Sequence, residues 1–201
     1  MTPLPLPDGR VGLVIADVSD KGMPAALYMA LTRSLLRAEA RQTDSPAQAL
    51  RRVNRLLLEL GQPRMFVTLF YGVLDAAAGQ LVYARAGHNR PLLLRQGRVQ
   101  ELGGQGRPLG IFEDSLLILS EEQLALQCGD RLVLYTDGLT DVLSPDEELY
   151  DLPRFQSLVQ THAACALDVF CQAVFAALAD FRGAAEPFDD MALFAVEINP
   201  L

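Results

Sequence analysis

The chain has 201 residues, half of them hydrophobic and 21% charged, with 25 acidic against 17 basic side chains and a formal net charge of −8. That composition belongs to a globular rather than a disordered protein, long enough to bury a substantial core. The acidic balance, with no basic run longer than Arg51-Arg52, argues against a nucleic-acid partner.

In chain order, Pro7-Asp8-Gly9 reads as a turn and Arg10 to Ala16 as a short buried strand, followed by a polar loop from Asp17 to Gly22. Pro24 suits the first turn of a helix running to about Ala40. Ser45 as N-cap and Pro46 at the first helical position open a second helix ending near Gly61, with Leu50, Val53, Leu57 and Leu60 at helical spacing. From Met65 to Leu134 the pattern is mainly β: MFVTLFYGVLD, QLVYARAG, PLLLR, SLLILS and RLVLYTD, with turns at Asp75–Gly79 and Gln96-Gly97. Residues 151–182 return to helix, with an apolar stripe of Leu167, Phe170, Val174 and Leu178, and MALFAVEI closes the chain as a strand. Hairpin-linked strands without βαβ alternation imply an α+β fold, a sheet core with helices outside, as a single domain over 1–201.

Three acidic islands stand beside apolar strand-like runs: Asp17 in VGLVIADVSDKG, Asp137 in RLVLYTDGLTD, and Asp189-Asp190 in EPFDDMALFAVEI. Any one of them could be an ordinary turn residue. Carboxylates fixed at several strand ends, however, can form an oxygen-rich site for Mg²⁺ or Mn²⁺. Asp17 can ligate through its carboxylate and Val18 through its carbonyl, while Gly22 permits close approach ahead of a helix N-terminus that favours anions. Thr136, Thr140 and Asp141 surround Asp137 and can orient it. Two adjacent acids at 189 and 190 repel each other unless a cation, a cap or solvent relieves them.

The remaining residues offer no nucleophile. His88 and Asn89 could serve as an acid and its orienter, but His88 reads better as a turn-holding hydrogen-bonder, and with only two histidines a His cage is excluded. Ser19 lacks a G-x-S-x-G elbow, no triad order is present, and Gly103–Gly110 has the wrong spacing for a dinucleotide loop. Cys128, Cys165 and Cys171, the last two on one predicted helix, read as small buried hydrophobes in a reducing compartment. No apolar run approaches the roughly 18 residues of a membrane span. MTPLPLPDGR has no signal-peptide pattern, so a cytoplasmic location is expected.

The segments ADVSDKGMPAALYMALTRSLLRA, MFVTLFYGVLD, YARAGHNRPLLL, GRPLGIF, LVLYTDGLTDV and FDDMALFAV, in this order, resemble the PPM-type (protein phosphatase 2C-like) serine/threonine phosphatases, in the bacterial branch named for SpoIIE and RsbU. The resemblance implies a sandwich of two packed antiparallel sheets flanked by helices, with two Mn²⁺ or Mg²⁺ ions at one edge. By motif, Asp17 resembles the bridging ligand, Val18 the carbonyl donor, and Asp137 and Asp189 the remaining carboxylates of one metal. Asp190, Asp141 and Asp20 stand beside these ligands, and Ser19, Lys21 and Gly22 form the loop a phosphate would approach. The implied reaction is attack by a metal-activated water on phosphoserine or phosphothreonine, without a protein nucleophile. The implied partner is a phosphorylated regulatory protein, typically an anti-sigma-factor antagonist; a homodimer is compatible with this, and neither nucleic acid nor membrane is involved.

Three departures from the family pattern stand out. Asp20 occupies a position often held by Gly, and Arg90 one often held by Pro. The chain also starts just before PLPDGR, so the strand with a Gly-Gly-Asp type motif and its first acidic residue are expected to be missing, which would expose a sheet edge and weaken one metal position. A non-catalytic PPM-fold binding module is therefore the alternative to an active phosphatase. A metal nuclease is disfavoured by the charge balance.

Overall fold

In the computed structural model, which describes residues 3–60, 65–186 and 189–199, the chain is α+β, with nine strands in two antiparallel sheets and four α-helices among the described residues. It divides into two compact units, Met1–His88 with Gly103–Leu126, and Asn89–Leu102 with Gln127–Leu201.

The first unit holds a five-stranded sheet in the order β1 (Leu4–Pro5), β2 (Val11–Val18), β3 (Val67–Asp75), β4 (Gln80–Ala86), β7 (Glu121–Ala125). The short β1 pairs Leu4 with Gly12 and Pro5 with Val11, so the sheet edge expected to be bare carries a two-residue strand whose proline blocks further pairing. The helices are α1 (Met23–Glu39) and α2 (Pro46–Glu59). Ser45 caps α2 as the sequence suggests, its hydroxyl accepting from Gln48 N at 3.2 Å. That hydroxyl also donates to Glu121, whose carboxylate accepts Ala47 N at 3.0 Å, tying the helix start to edge strand β7. Leu50, Val53 and Leu57 of α2 are fully buried with Val67, Leu69, Tyr71 and Val73 of β3. Each such side chain contributes roughly 1.5–3 kcal/mol. Leu60, expected in the same stripe, is the C-cap and half exposed; the expected end at Gly61 lies outside the described residues.

The second unit holds β6 (Arg98–Glu101), β5 (Leu92–Arg95), β8 (Arg131–Tyr135) and β9 (Leu193–Glu197) side by side in that order, with α3 (Leu152–Thr161) and α4 (Leu167–Arg182). Its core joins Val133 and Tyr135 to Phe155, Val159, Phe170, Val174 and Leu178. The Tyr135 and Phe155 rings lie 4.7 Å apart.

Several expectations need correction. The first strand runs on past Ala16 through Asp17 and Val18, which pair with Thr68 and Val67. SLLILS is not a strand. The Leu116 and Leu117 amides turn back to Glu113 O, and only Leu119 bridges, to Gly106. Gly106 lies so close to the chain at Arg85 that a Cβ there would sit 1.5 Å from the Arg85 carbonyl oxygen, so only glycine fits. The strand forms one step later, as β7. The 151–182 helix breaks between Thr161 and Leu167. The Arg131 guanidinium takes the Cys165 carbonyl at 2.7 Å there, so Cys165 precedes α4 while Cys171 lies within it. Cys128 is exposed and the other two cysteines are only partly buried. Among the described residues no helix is long and apolar enough to cross a membrane.

Burial pushes the Tyr71, Tyr83 and Tyr135 phenols up to about 12 from an ordinary 10.0. A phenol with a raised folded-state pKa stabilises the fold fully below its unfolded value, and that contribution is lost as pH rises through the folded one. Stability should therefore fall between about pH 10 and 12. In an alkaline titration, most tyrosinate absorbance should appear together with loss of the far-ultraviolet dichroism; full tyrosine ionisation near pH 10 in a folded protein would contradict this burial.

Candidate metal centre

In the first unit, Asp17 is the penultimate residue of β2, opposite Thr68 of β3. The Thr68 hydroxyl donates to the Asp17 carbonyl at 3.4 Å and meets His88 Nδ1 at 2.9 Å. His88, 2% exposed, thus helps hold the strand end and takes the structural role expected of it. Val18 ends the strand. Ser19 then clasps Phe66 twice, its N–H donating to Phe66 O at 3.0 Å and its hydroxyl accepting Phe66 N at 2.9 Å, so Ser19 anchors the loop.

Asp20 adopts φ 129°, a conformation suited to glycine, and its carboxylate accepts the Lys21 N–H at 2.8 Å. Gly22, at φ 80°, is the N-cap of α1 and offers no side-chain cap to the first turn. The amides that open α1 thus point from a helix start with Pro24 already in place, an arrangement that suits an anion.

In the second unit, Asp137 opens a 3₁₀ turn, Asp137–Leu139, directly after Thr136 and β8. Its carbonyl collects the Thr140 and Asp141 amides at 2.8 Å each, and the Thr140 hydroxyl reaches both that carbonyl (3.0 Å) and the Asp141 carboxylate (3.1 Å). Thr136 fastens the neighbouring segment. Its hydroxyl donates to Asp190 O at 3.1 Å and accepts Ala192 N at 2.9 Å, while its own N–H donates to Ala192 O at 3.1 Å. Gly138 allows the two chains to touch, because a Cβ there would lie 2.4 Å from Asp190 O. The Asp189 carboxylate accepts the Asp190 N–H at 2.9 Å, and Asp190 itself is exposed, facing this turn through its carbonyl.

Burial first, then the charges of Asp141 and Asp189, hold the Asp137 carboxyl above its ordinary range. Asp141 and Asp189 also line, with Gly138, Arg182 and Glu186, a cavity of ≈ 10 Å³, about the room of one water. Arg182 and Glu186 carry no signal in the sequence, since they sit where a helix ends among ordinary surface residues. Among the described residues, no three His, Cys, Asp or Glu side chains are placed together so as to hold a metal ion. What the turn does bring near Asp137 is the negative charge of Asp141 and Asp189, and these are hard oxygen groups of the kind that Mg²⁺ and Mn²⁺ prefer.

The fold is that of PP2C-type phosphatases. The SiaA-PP2C domain of Pseudomonas aeruginosa superposes with TM-score 0.82 at 24% identity, covering 94% of this chain and 76% of that one. The RsbU and RsbW domains of Rv1364c from Mycobacterium tuberculosis superpose with TM-score 0.81 at 28% identity, over 98% of this chain and 54% of that one. Residues 7–199 match the family model of Stage II sporulation protein E (SpoIIE). The chain belongs to this SpoIIE family, in the SpoIIE/RsbU branch of the PPM-type protein serine/threonine phosphatases. It is 30% identical over 154 residues to "Phosphoserine phosphatase RsbU" of Bacillus subtilis (76% of this chain, 45% of that protein). To "Protein IcfG" of Synechocystis it is 29% identical over 222 residues (96% of this chain, 34% of that protein). The chain thus spans less than half the length of both relatives.

Three variants test this geometry. Gly138→Ala should destabilise the protein by about 1–3 kcal/mol through the Asp190 contact, whereas Asp20→Gly should stabilise it by about 1 kcal/mol by releasing backbone strain; urea denaturation measures both. The raised carboxyl pKa means that Asp137 favours the fold when protonated, a contribution lost as pH rises through its folded value. Asp137→Asn in a chelator should therefore melt above wild type at neutral pH, with the gap closing in acid. Adding Mn²⁺ should raise the wild-type melting temperature and leave that of Asp137→Asn nearly unchanged.

Proposed function

We propose that the chain is the phosphatase domain of a metal-dependent enzyme that hydrolyses phosphoserine or phosphothreonine on a regulatory protein of the anti-sigma-factor antagonist type, with both units serving one active domain. The observation that carries this reading is Asp137: a partly buried carboxylate placed at a rigid strand end, beside Asp141 and Asp189, where its charge is disfavoured until a cation arrives. Membership in the SpoIIE family and the likeness to a protein described as a phosphoserine phosphatase support the reaction class.

In this reading Asp137 and Asp189 would be metal ligands, and the Asp17 carboxylate and the Val18 carbonyl would supply further oxygen ligands. When bound, two Mn²⁺ or Mg²⁺ ions supply the charge that activates water and neutralises the phosphoryl oxygens. The protein's own groups do the positioning. Thr136 and Gly138 lock the 137 turn against the 190 segment, Thr140 orients Asp141, and Ser19 pins the loop that follows Asp17. The uncapped start of α1 and the Lys21 side chain receive the phosphoryl oxygens, and Asp20, by accepting the Lys21 amide, sets the shape of that approach.

The test is phosphate release from a phosphoserine-bearing antagonist protein in millimolar Mn²⁺. Turnover should require the metal and should fall by roughly a hundredfold or more in Asp17→Asn and in Asp137→Asn, with phosphoprotein binding retained. Binding without turnover in wild type would instead identify a non-catalytic module.

A further inference from the structure

The second unit contains a cavity of ≈ 340 Å³ away from the acidic turn, lined by Gln96 and Gly97 of the β5–β6 turn, Gly129, Arg131, the Ala163–Ala166 connection and Glu197. Its most unusual wall is Arg131. The side chain is 5% exposed, lies over the Phe170 ring at 5.0 Å, and donates through Nη2 to Glu197 at 2.5 Å and to Cys165 O at 2.7 Å. Its Nε and Nη1 are buried with no hydrogen-bond partner. Two guanidinium nitrogens in that condition carry a desolvation cost.

The same wall ends in the N-terminus of α4, a 16-residue helix whose N-cap, Ala166, has no side chain able to cap it. The first-turn amides of α4 and the positive end of its dipole therefore adjoin the cavity. Gln96 at φ 51° and Gly97 at φ 73° form the tight turn opposite, and Gly129 keeps a third side free of side-chain bulk. The negative groups nearby are Glu197, a third exposed and held by one nitrogen of Arg131, and Asp168 in the first turn of α4.

We propose that this cavity binds a small oxyanion, a carboxylate or a phosphate group, between Arg131 and the start of α4, with the anion displacing Glu197 from the guanidinium. The site is separate from the candidate metal centre. Arg131 and Glu197 face each other at one end of the β8–β9 pair, and Tyr135 and Leu193, which lead to Asp137 and from Asp189, face each other at the other end. About 13 Å of strand lies between the two ends. The inference does not depend on phosphatase activity.

Backbone amide NMR of the whole chain in a chelator, at constant ionic strength, with separate additions of inorganic phosphate and acetate, tests it. Saturable shifts are expected at Gly97, Gly129 and Ala163–Leu167. Saturation by phosphate alone would define a phosphoryl ligand, and saturation by acetate a carboxylate. The shifts should persist in Asp137→Asn and vanish in Arg131→Met, and Glu197→Gln should tighten binding by roughly threefold or more, since it keeps the shape and removes the competing charge. No saturation with either anion into tens of millimolar, loss of the shifts in Asp137→Asn, or their survival in Arg131→Met would overturn the proposal. Should Arg131→Met not fold, Glu197→Gln decides alone: unchanged or weaker binding sinks the idea.

Discussion

The hydroxyl of Thr136 makes two hydrogen bonds in opposite senses, giving its proton to Asp190 O and taking one from Ala192 N. With its own amide bonded to Ala192 O, this residue extends the β8–β9 ladder beyond the last regular pair, Tyr135 with Leu193. That extension brings a turn starting at Asp137 alongside a segment starting at Asp189. The contact closes only because position 138 lacks a side chain. Valine, nearly the same shape as threonine, would pack there but would leave the Asp190 carbonyl and the Ala192 amide without their shared partner.

What the ladder brings together is electrostatically unfavourable. Asp137 is drawn out of water and meets the charges of Asp141 and Asp189. Strand pairing and the buried cluster around Val133, Tyr135 and Phe155 hold this arrangement in place. Folding energy gained in the core is thus stored as repulsion at its edge, available to a cation. Asp20 repeats the pattern on a smaller scale. A non-glycine residue is held at φ 129° next to Ser19, whose two bonds to Phe66 secure the loop.

Most of this was legible in the sequence where local chemistry and final structure agree. Ser45-Pro46 announced α2, the Leu50, Val53, Leu57 spacing its buried face, and the order of acidic motifs the family. The misreadings arose where distant residues decide. SLLILS has strand composition, but the Leu116 and Leu117 amides turn back to Glu113 O and leave it a single bridge, at Leu119. Ala163-Ala164 favours helix, yet the chain breaks there around a guanidinium contributed by β8. Burial of the cysteines could not be read either, because Cys128 falls in the turn before β8 and Cys165 in that unexpected break. At the candidate metal centre the sequence pointed to Asp17, Val18, Asp137 and Asp189, with Asp141, Asp190 and Asp20 beside them; the paired bonds of Thr136 and the closeness at Gly138 required the register.

The bond from Ser45 and Ala47 to Glu121 spans more than 70 residues, and within that span the chain leaves the first unit at residue 89 and returns at 103. Neither unit is a continuous stretch of chain. During synthesis β7 cannot complete its sheet until the β5–β6 hairpin has emerged, and that hairpin must wait for β8 before its own sheet can grow. The two halves are therefore interleaved in time as well as in sequence: closing long loops precedes finishing either core, which makes folding slow and leaves the early strands dependent on shielding while the ribosome completes the rest.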